Sequence, residues 1–132
     1  MSKILTVYKG DGQCDLVHEA TNTVLSTDLP LDNGGKGRKF SPTDLFASSF
    51  AACVLTIMGK MAERKGDDFK EAAVEIEKIM VENPRRVGKF ILNIKFPSNF
   101  TQEQKDFYLA AVKACPVHNS LNPNIEVEIH VK

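Results

Sequence analysis

Three cysteines carry the most distinctive chemistry in this chain. They are Cys14, Cys53 and Cys115, among 132 residues. Cys53 and Cys115 both fall in segments with helical patterning, and two such thiols allow three interpretations. They are small core hydrophobes, a redox pair, or part of a metal site.

The redox interpretation makes a specific geometric demand. One thiolate would attack the O–O bond of a peroxide and become a sulfenic acid, and the other thiol would capture it as a disulfide that a cellular dithiol reduces. The two Cα atoms must then lie within about 4.4 to 6.8 Å of each other. Cys14 lies in a predicted strand beside a turn, and we expect it to be a half-buried hydrophobe without a role.

The metal interpretation is weaker. It would use Cys115, His118 and His130, and it lacks a fourth ligand because the sequence has no C-x-x-C pair. We therefore expect neither a metal nor a cofactor. His118, close to Cys115, is more often structural than catalytic in such a position.

A thiolate at Cys53 needs a nearby cation. Cys53 is predicted in the middle of an apolar helix, where it gains little from the helix N-terminus and where burial disfavours the charged form. The loop before that helix offers Lys36, Arg38 and Lys39. Arg38 is favoured because a guanidinium stays charged and holds oxyanions. The other interpretation is that Arg38 is a solvated loop residue without a role.

Composition limits the class of protein. Seventeen basic residues balance 17 acidic ones, 42% of residues are hydrophobic and 26% are charged, which is ordinary globular usage. The length predicts one domain over residues 1–132. No basic patch indicates nucleic acid, and no stretch indicates a membrane partner. An odd number of cysteines without a secretory signal predicts a reducing, cytoplasmic location.

The first part of the chain predicts a three-stranded meander followed by a loop. The runs ILTVY, CDLVHEA and TVLST are rich in strand formers and are separated by turn residues around Gly10–Gly12 and Thr21-Asn22. The segment from Asp28 to Phe40 has three glycines and no apolar periodicity, which predicts a surface loop.

A long apolar helix is predicted next. Ser41 is a suitable N-cap, Pro42 fits the first helical position, and Gly66 is a plausible stop. The predicted core face is Phe46, Phe50, Cys53, Ile57 and Met61. The opposite side is also apolar, from Leu45 and Ala47 to Met58. Since one small sheet covers only one side, we expect a second subunit to cover the other.

The remaining elements complete an α+β pattern. Alternating residues on both sides of Asn83-Pro84 predict a long β-hairpin, with Phe90, Leu92, Ile94 and Phe96 on one face. Thr101 begins a capping box for a second helix that ends at Cys115, before Pro116. Cys115 itself is a candidate cap for a short helical turn through Leu121. Residues 125–131 alternate as a closing strand.

Two motifs together resemble one protein family. The capped helix SPTDLFASSFAAC and the later segment ACPVHNSL, which carry Cys53 and Cys115, are similar to the OsmC/Ohr family of small bacterial thiol peroxidases. The order of strands and helices agrees across nearly the whole chain. The resemblance implies an intertwined α+β homodimer with active sites at the subunit interface.

The resemblance also implies roles. It makes Cys53 the peroxidatic thiol and Cys115 the resolving thiol, with an organic hydroperoxide as substrate and a dithiol as reductant. Efficient peroxidases of the family carry a Glu where this chain has Thr43, and an Arg in the N-terminal strands where this chain has none. Arg38 is the substitute by proximity. The alternative function is a non-enzymatic dimer of the same fold that binds a small apolar ligand at its interface.

Overall fold

Strand formers separated by turn residues fold the start of the chain into an antiparallel meander. In the computed structural model, which describes all 132 residues, β1 (Ile4–Gly10), β2 (Gln13–His18) and β3 (Thr23–Asp28) pair in chain order. Asp11 and Asn22, in the two turns, have φ of 54° and 58°, the left-handed conformation that Asn and Asp tolerate in tight turns. The predicted meander is confirmed.

The loop after β3 contains one turn of 3₁₀-helix, Leu31–Asn33. Its glycines allow it to fold closely on itself, because a side chain at Gly35 would overlap the carbonyl of Leu29. The N–H of Gly37 donates to that same carbonyl at 3.1 Å, and the N–H of Asp28 donates to the carbonyl of Phe40 at 3.0 Å. The loop is therefore fixed by backbone hydrogen bonds at both of its ends.

The chain divides into two compact units, Met1–Phe46 and Ala47–Lys132. The first ends within the opening turns of helix α1 (Pro42–Lys65). Ser41 and Asp44 cap this helix reciprocally, since the Asp44 N–H donates to Ser41 Oγ at 3.0 Å and the Ser41 N–H donates to Asp44 Oδ2 at 2.8 Å. The predicted helix start is confirmed.

The buried face of α1 differs from the predicted one. Phe50 is buried as expected, but Phe46 is exposed, and Cys53, Ile57 and Met61 are only half-buried. Within the second unit the fully buried stripe follows Phe50, Val54, Met58 and Ala62. Both sides of the helix are apolar, so periodicity alone did not select the side that packs; tertiary contacts did.

Helix α1 is also long and apolar enough to cross a membrane, judged by length and composition alone. The core helices of soluble proteins pass the same test. In this chain, four of its side chains with at most 1% exposure belong to the core of the second unit, namely Phe50, Val54, Met58 and Ala62.

A second three-stranded sheet forms most of the other unit. Strands β4 (Ala73–Val81) and β5 (Arg86–Lys95) are the predicted antiparallel hairpin, and β6 (Glu126–Val131) pairs with β5 in parallel. Alternate side chains of β5 enter the core, as predicted, with Phe90, Leu92 and Ile94 fully buried. The parallel pairing requires a crossover, which the helices after β5 supply.

The second predicted helix is interrupted. Helix α2 (Gln102–Leu109) begins with the predicted Thr101 capping box, but it ends before Ala110, and a short α3 (Ala111–Ala114) leads to Cys115. Helix α4 (Pro116–Asn119) follows at once. Pro116 has no N–H and fits the first position of a helix, so the chain restarts there.

The α+β fold predicted from the sequence is confirmed. The core of the second unit combines α1, the inner face of β5 and the region from Tyr108 to Cys115. The second subunit expected to complete an intertwined homodimer stays a prediction.

Candidate active site

Cys53 and Cys115 lie side by side in the second unit. Cys53 is near the middle of α1, and Cys115 is the residue between α3 and α4. Their thiols are close enough to interact, since Cys53 contributes to raising the pKa of the Cys115 thiol, and neither is in a disulfide. Cys115 has no exposed surface, whereas Cys53 is half-buried at the edge of the core. The pair therefore combines one half-buried cysteine with one fully enclosed cysteine.

Cys115 is the N-cap of α4, as the sequence suggested. Its sulfur accepts a hydrogen bond from the backbone N–H of His118 at 3.5 Å. Burial, and then the hydrogen bond with Cys53, raise the pKa of the Cys115 thiol; the backbone N–H groups of His118 and Val117 act in the opposite direction. Burial is the largest of these effects, and the net change in the Cys115 pKa is upward.

The imidazole of His118 packs against the core. Its ring lies 5.7 Å from the ring of Phe50, centroid to centroid, one helical turn before Cys53 on α1. Its Nδ1 atom is buried and has no hydrogen-bond partner. His118 therefore acts on Cys115 through its backbone N–H, and its ring packs against Phe50.

Arg38 is bound by two carboxylates within the first unit. Its Nε donates to Asp28 Oδ2 at 2.7 Å and its Nη2 donates to Asp28 Oδ1 at 3.2 Å. Its Nη1 donates to Asp11 Oδ2 at 3.0 Å, and Lys36 pairs with the same oxygen at 2.9 Å. These two acidic and two basic residues form a neutral cluster.

The charges in this cluster fix one another's ionisation. The side-chain hydrogen bond from Arg38, followed by the bond from its backbone N–H, lowers the pKa of Asp28 to about 2. Asp28 in turn raises the pKa of Arg38. The hydrogen bond from Lys36 contributes most to lowering the pKa of Asp11. The guanidinium is thus permanently charged and is already engaged in four side-chain hydrogen bonds.

The structure thus brings two of the three predicted site residues together and groups the third with other partners. The sequence analysis did not identify Asp28 and Asp11 as partners of Arg38. Asp28 begins the loop that carries Arg38, but Asp11 lies in the turn between β1 and β2, and nothing in the local sequence indicates that either pairs with Arg38. The role of Arg38 toward Cys53 stays a prediction.

Cys14 belongs to the first unit. It borders a mainly apolar cavity of about 240 Å³, lined by Thr6, Cys14, Leu16, Thr27, Pro42 and Leu45.

The candidate metal site of Cys115, His118 and His130 does not form, because no three His, Cys, Asp or Glu side chains come together in a group that could hold an ion. His130, one of the predicted ligands, pairs with Glu128 at 2.7 Å.

Comparison with known proteins identifies the family to which this chain is similar. The family model described as OsmC-like protein matches residues 35–130. Among curated relatives, an uncharacterized protein of Acinetobacter baylyi is 31% identical over 129 residues, which cover 93% of this chain and 89% of that protein. A hydroperoxide reductase of Mycoplasma genitalium is 29% identical over 101 residues, 73% of this chain and 72% of that protein.

Solved structures agree with the family model. A proposed osmotic stress induced and detoxification response protein from Psychrobacter arcticus superimposes with a TM-score of 0.95 at 34% identity. The alignment covers 100% of this chain and 96% of that one. The fold and the matched family thus agree over the segment that carries Cys53 and Cys115.

Proposed function

This chain belongs to the OsmC-like protein family, and on that basis we propose that it is a thiol-dependent peroxidase that reduces organic hydroperoxides. The observation that carries the proposal is the proximity of Cys53, which packs against the core cluster, to Cys115, which belongs to it, because a peroxidase of this type needs two thiols close enough to form a disulfide. The hydroperoxide reductase from Mycoplasma genitalium supports the same chemistry at 29% identity.

The oxidative step uses Cys53 as the nucleophile. Its thiolate attacks the terminal oxygen of the hydroperoxide, the O–O bond breaks, and the alkoxide leaves and takes a proton to become an alcohol. Cys53 is oxidised to a sulfenic acid. The half-buried position of Cys53 favours it over the enclosed Cys115 for this attack.

Resolution uses Cys115. Its sulfur loses a proton and attacks the sulfenic sulfur of Cys53, an S–S bond forms, and hydroxide leaves as water. Because the two thiols already interact, resolution needs only a short approach of the sulfurs. A dithiol then returns both cysteines to the thiol form and is itself oxidised to a disulfide.

Arg38 remains the proposed cation that favours the Cys53 thiolate. It is always charged, but the carboxylates of Asp28 and Asp11 neutralise much of its field. We expect its effect on the thiolate to be smaller than that of an unpaired guanidinium. The cycle is best suited to a reducing compartment such as the cytoplasm, where thiols are regenerated.

A homodimer is part of the proposal. Large apolar side chains remain exposed on both faces of the first sheet: Ile4 and Tyr8 on one face of β1, Leu5 and Val7 on the other, and Val24 and Leu25 on β3. Exposed apolar clusters of this extent mark protein interfaces. A second copy of the chain is the proposed cover.

The second candidate function is non-enzymatic binding of a small apolar ligand by such a dimer. The cavity beside Cys14, about 240 Å³ and mainly apolar, favours this alternative. In that case the paired cysteines would be inert core residues.

Stoichiometric oxidation separates the two candidates. Reduced protein is mixed with one equivalent of tert-butyl hydroperoxide, and free thiols are counted with a chromogenic disulfide. The peroxidase loses two thiols per chain, and peptide mapping finds Cys53 linked to Cys115. Cys14→Ser should behave alike, whereas Cys115→Ser should accumulate sulfenic and then sulfinic acid at Cys53. Unchanged thiols would support the binding protein.

A further inference from the structure

The two sulfurs of the pair differ in access and in hydrogen bonding, and this difference bears on how an oxidised protein would be reduced. Resting on the function proposed above, we propose that the dithiol reductant attacks the sulfur of Cys53, so that Cys115 is always the leaving group. A disulfide is symmetrical in composition, but its two sulfurs here lie in different surroundings.

Access favours attack on Cys53. Cys115 has no exposed surface and belongs to the core cluster, together with Ala111 and Val112. Cys53 is half-buried and lies at the margin of that cluster. A thiolate must approach a disulfide along the S–S axis, from the side opposite the leaving sulfur. Attack on Cys115 would require the core to open, whereas Cys53 lies at the margin of the core.

Hydrogen bonding favours departure of Cys115. The backbone N–H of His118 already points at the Cys115 sulfur at 3.5 Å, and the N–H of Val117 also interacts with it. Both donors are fixed by the turn that begins at Pro116. Donors of this kind stabilise a thiolate, and a better-stabilised leaving thiolate departs faster.

Formation of a mixed disulfide at Cys53 should also lower the pKa of Cys115. In the reduced protein, the thiol of Cys53 contributes to raising the pKa of Cys115. Once Cys53 is part of a mixed disulfide, it has no thiol with which to make that contribution. The two backbone donors then oppose burial alone, and the Cys115 thiolate is favoured more than in the resting state.

The reductive sequence balances in two steps. A thiolate of the dithiol attacks Cys53 Sγ, the Cys53–Cys115 bond breaks, and its electron pair leaves on Cys115 Sγ. The second thiolate of the reductant then attacks its own first sulfur, which releases Cys53 as a thiolate and leaves the reductant as a cyclic disulfide. The two protons of the dithiol end on the two protein thiolates or in solvent, and two electrons have moved to the protein.

Trapping the first step tests the proposal. Cys14→Ser protein, which has only the two relevant thiols, is oxidised with one equivalent of tert-butyl hydroperoxide, or with diamide if the hydroperoxide does not react. The oxidised protein is mixed briefly with 2-mercaptoethanol, quenched in acid, alkylated and mapped by mass spectrometry. We expect the mercaptoethanol adduct on Cys53 and the alkyl group on Cys115, in at least about tenfold excess over the reverse.

Two controls make the outcome specific. The same protein unfolded in guanidinium chloride should lose the preference, because access and the N–H donors disappear together. His118→Ala keeps the backbone N–H and should keep the preference. Adducts on Cys115, or an equal distribution in the folded protein, would overturn the proposal. A disulfide formed by diamide but not by hydroperoxide would refute the peroxidase alone, whereas no disulfide with either oxidant would refute both.

Discussion

The Nε of Arg38 donates a hydrogen bond of 2.7 Å to the carboxylate of Asp28, whose side chain has no exposed surface. The same carboxylate also accepts the backbone N–H groups of Arg38, at 2.9 Å, and of Leu29, at 3.0 Å. A single buried acid thus joins the end of β3 to the far part of the glycine-rich loop. Asp28 therefore holds Arg38 in place through both its backbone and its side chain.

The Asp28 carboxylate should make folding pH-dependent in acid. Because its pKa is lowered from 3.8 to about 2 in the folded chain, its stabilising effect is fully present above 3.8 and is lost as the pH falls through about 2. The free energy of unfolding, measured with urea at a series of pH values, should fall across this range. Asp28→Asn should show a shallower decline; parallel curves for the two proteins would contradict the assignment.

Removing Arg38 should slow oxidation of Cys53. If the guanidinium favours the thiolate, Arg38→Ala should react with tert-butyl hydroperoxide about three- to tenfold more slowly at neutral pH. Lys39→Ala is the matched control, since it removes a neighbouring loop cation and should react at the wild-type rate. Stopped-flow thiol loss measures both. An unaffected Arg38→Ala with a slow Lys39→Ala would move the role to Lys39.

A buried phenol should stabilise the second unit. The hydroxyl of Tyr108 donates to Asp67 Oδ2 at 2.6 Å, and burial, followed by that bond, raises the pKa of Tyr108 to about 12. Tyr108→Phe should lower the free energy of unfolding by about 2 kcal/mol, the usual value for a hydrogen bond to a charged group. Asp67→Asn keeps an acceptor and should cost less.

The hydrogen bond between Tyr108 and Asp67 should also make the free energy of unfolding fall at alkaline pH. The Tyr108 contribution is complete below the unfolded pKa of 10.0 and is lost as the pH rises through about 12. Urea unfolding at neutral and alkaline pH should show this loss in the wild type and not in Tyr108→Phe. Equal stability of the two proteins at neutral pH would contradict the hydrogen bond.

Two methionines on α1 test which face is buried. Met58 has no exposed surface, whereas Met61 is half-buried. Met58→Ala should lower the free energy of unfolding by about 2 to 4 kcal/mol, and Met61→Ala by about 1 kcal/mol. Thermal or urea unfolding of the two variants compares them directly. A larger cost at Met61 would restore the face predicted from the sequence.

Structural features that depend on residues close together in the chain were predicted correctly from the sequence. Ser41 with Pro42, the Thr101 capping box and the Cys115-Pro116 junction each act within one turn of chain, so their residue types determine the outcome. The alternation of Phe90, Leu92 and Ile94 likewise identified the buried face of β5. Local chemistry of this kind needs no knowledge of the tertiary fold.

Features that depend on distant contacts were missed or misplaced. The buried face of α1 was shifted because Val54 and Met58 are as apolar as Ile57 and Met61. The interruption between α2 and α3 at Ala110 could not be predicted, because no proline or glycine lies there. Asp28, ten residues before Arg38, carries no local signal that it is buried beneath that side chain. Contacts such as the one between Asp28 and Arg38 form only when the loop folds, so they cannot be read from the sequence.

The rate at which reduced protein consumes tert-butyl hydroperoxide tests the central claim most directly. Measured by stopped flow at neutral pH against free cysteine, the wild type and Cys14→Ser should react at least about a hundredfold faster, and Cys53→Ser should react no faster than free cysteine. A wild-type rate equal to that of free cysteine, or an undiminished rate in Cys53→Ser, would contradict the assignment of Cys53 as the peroxidatic thiol.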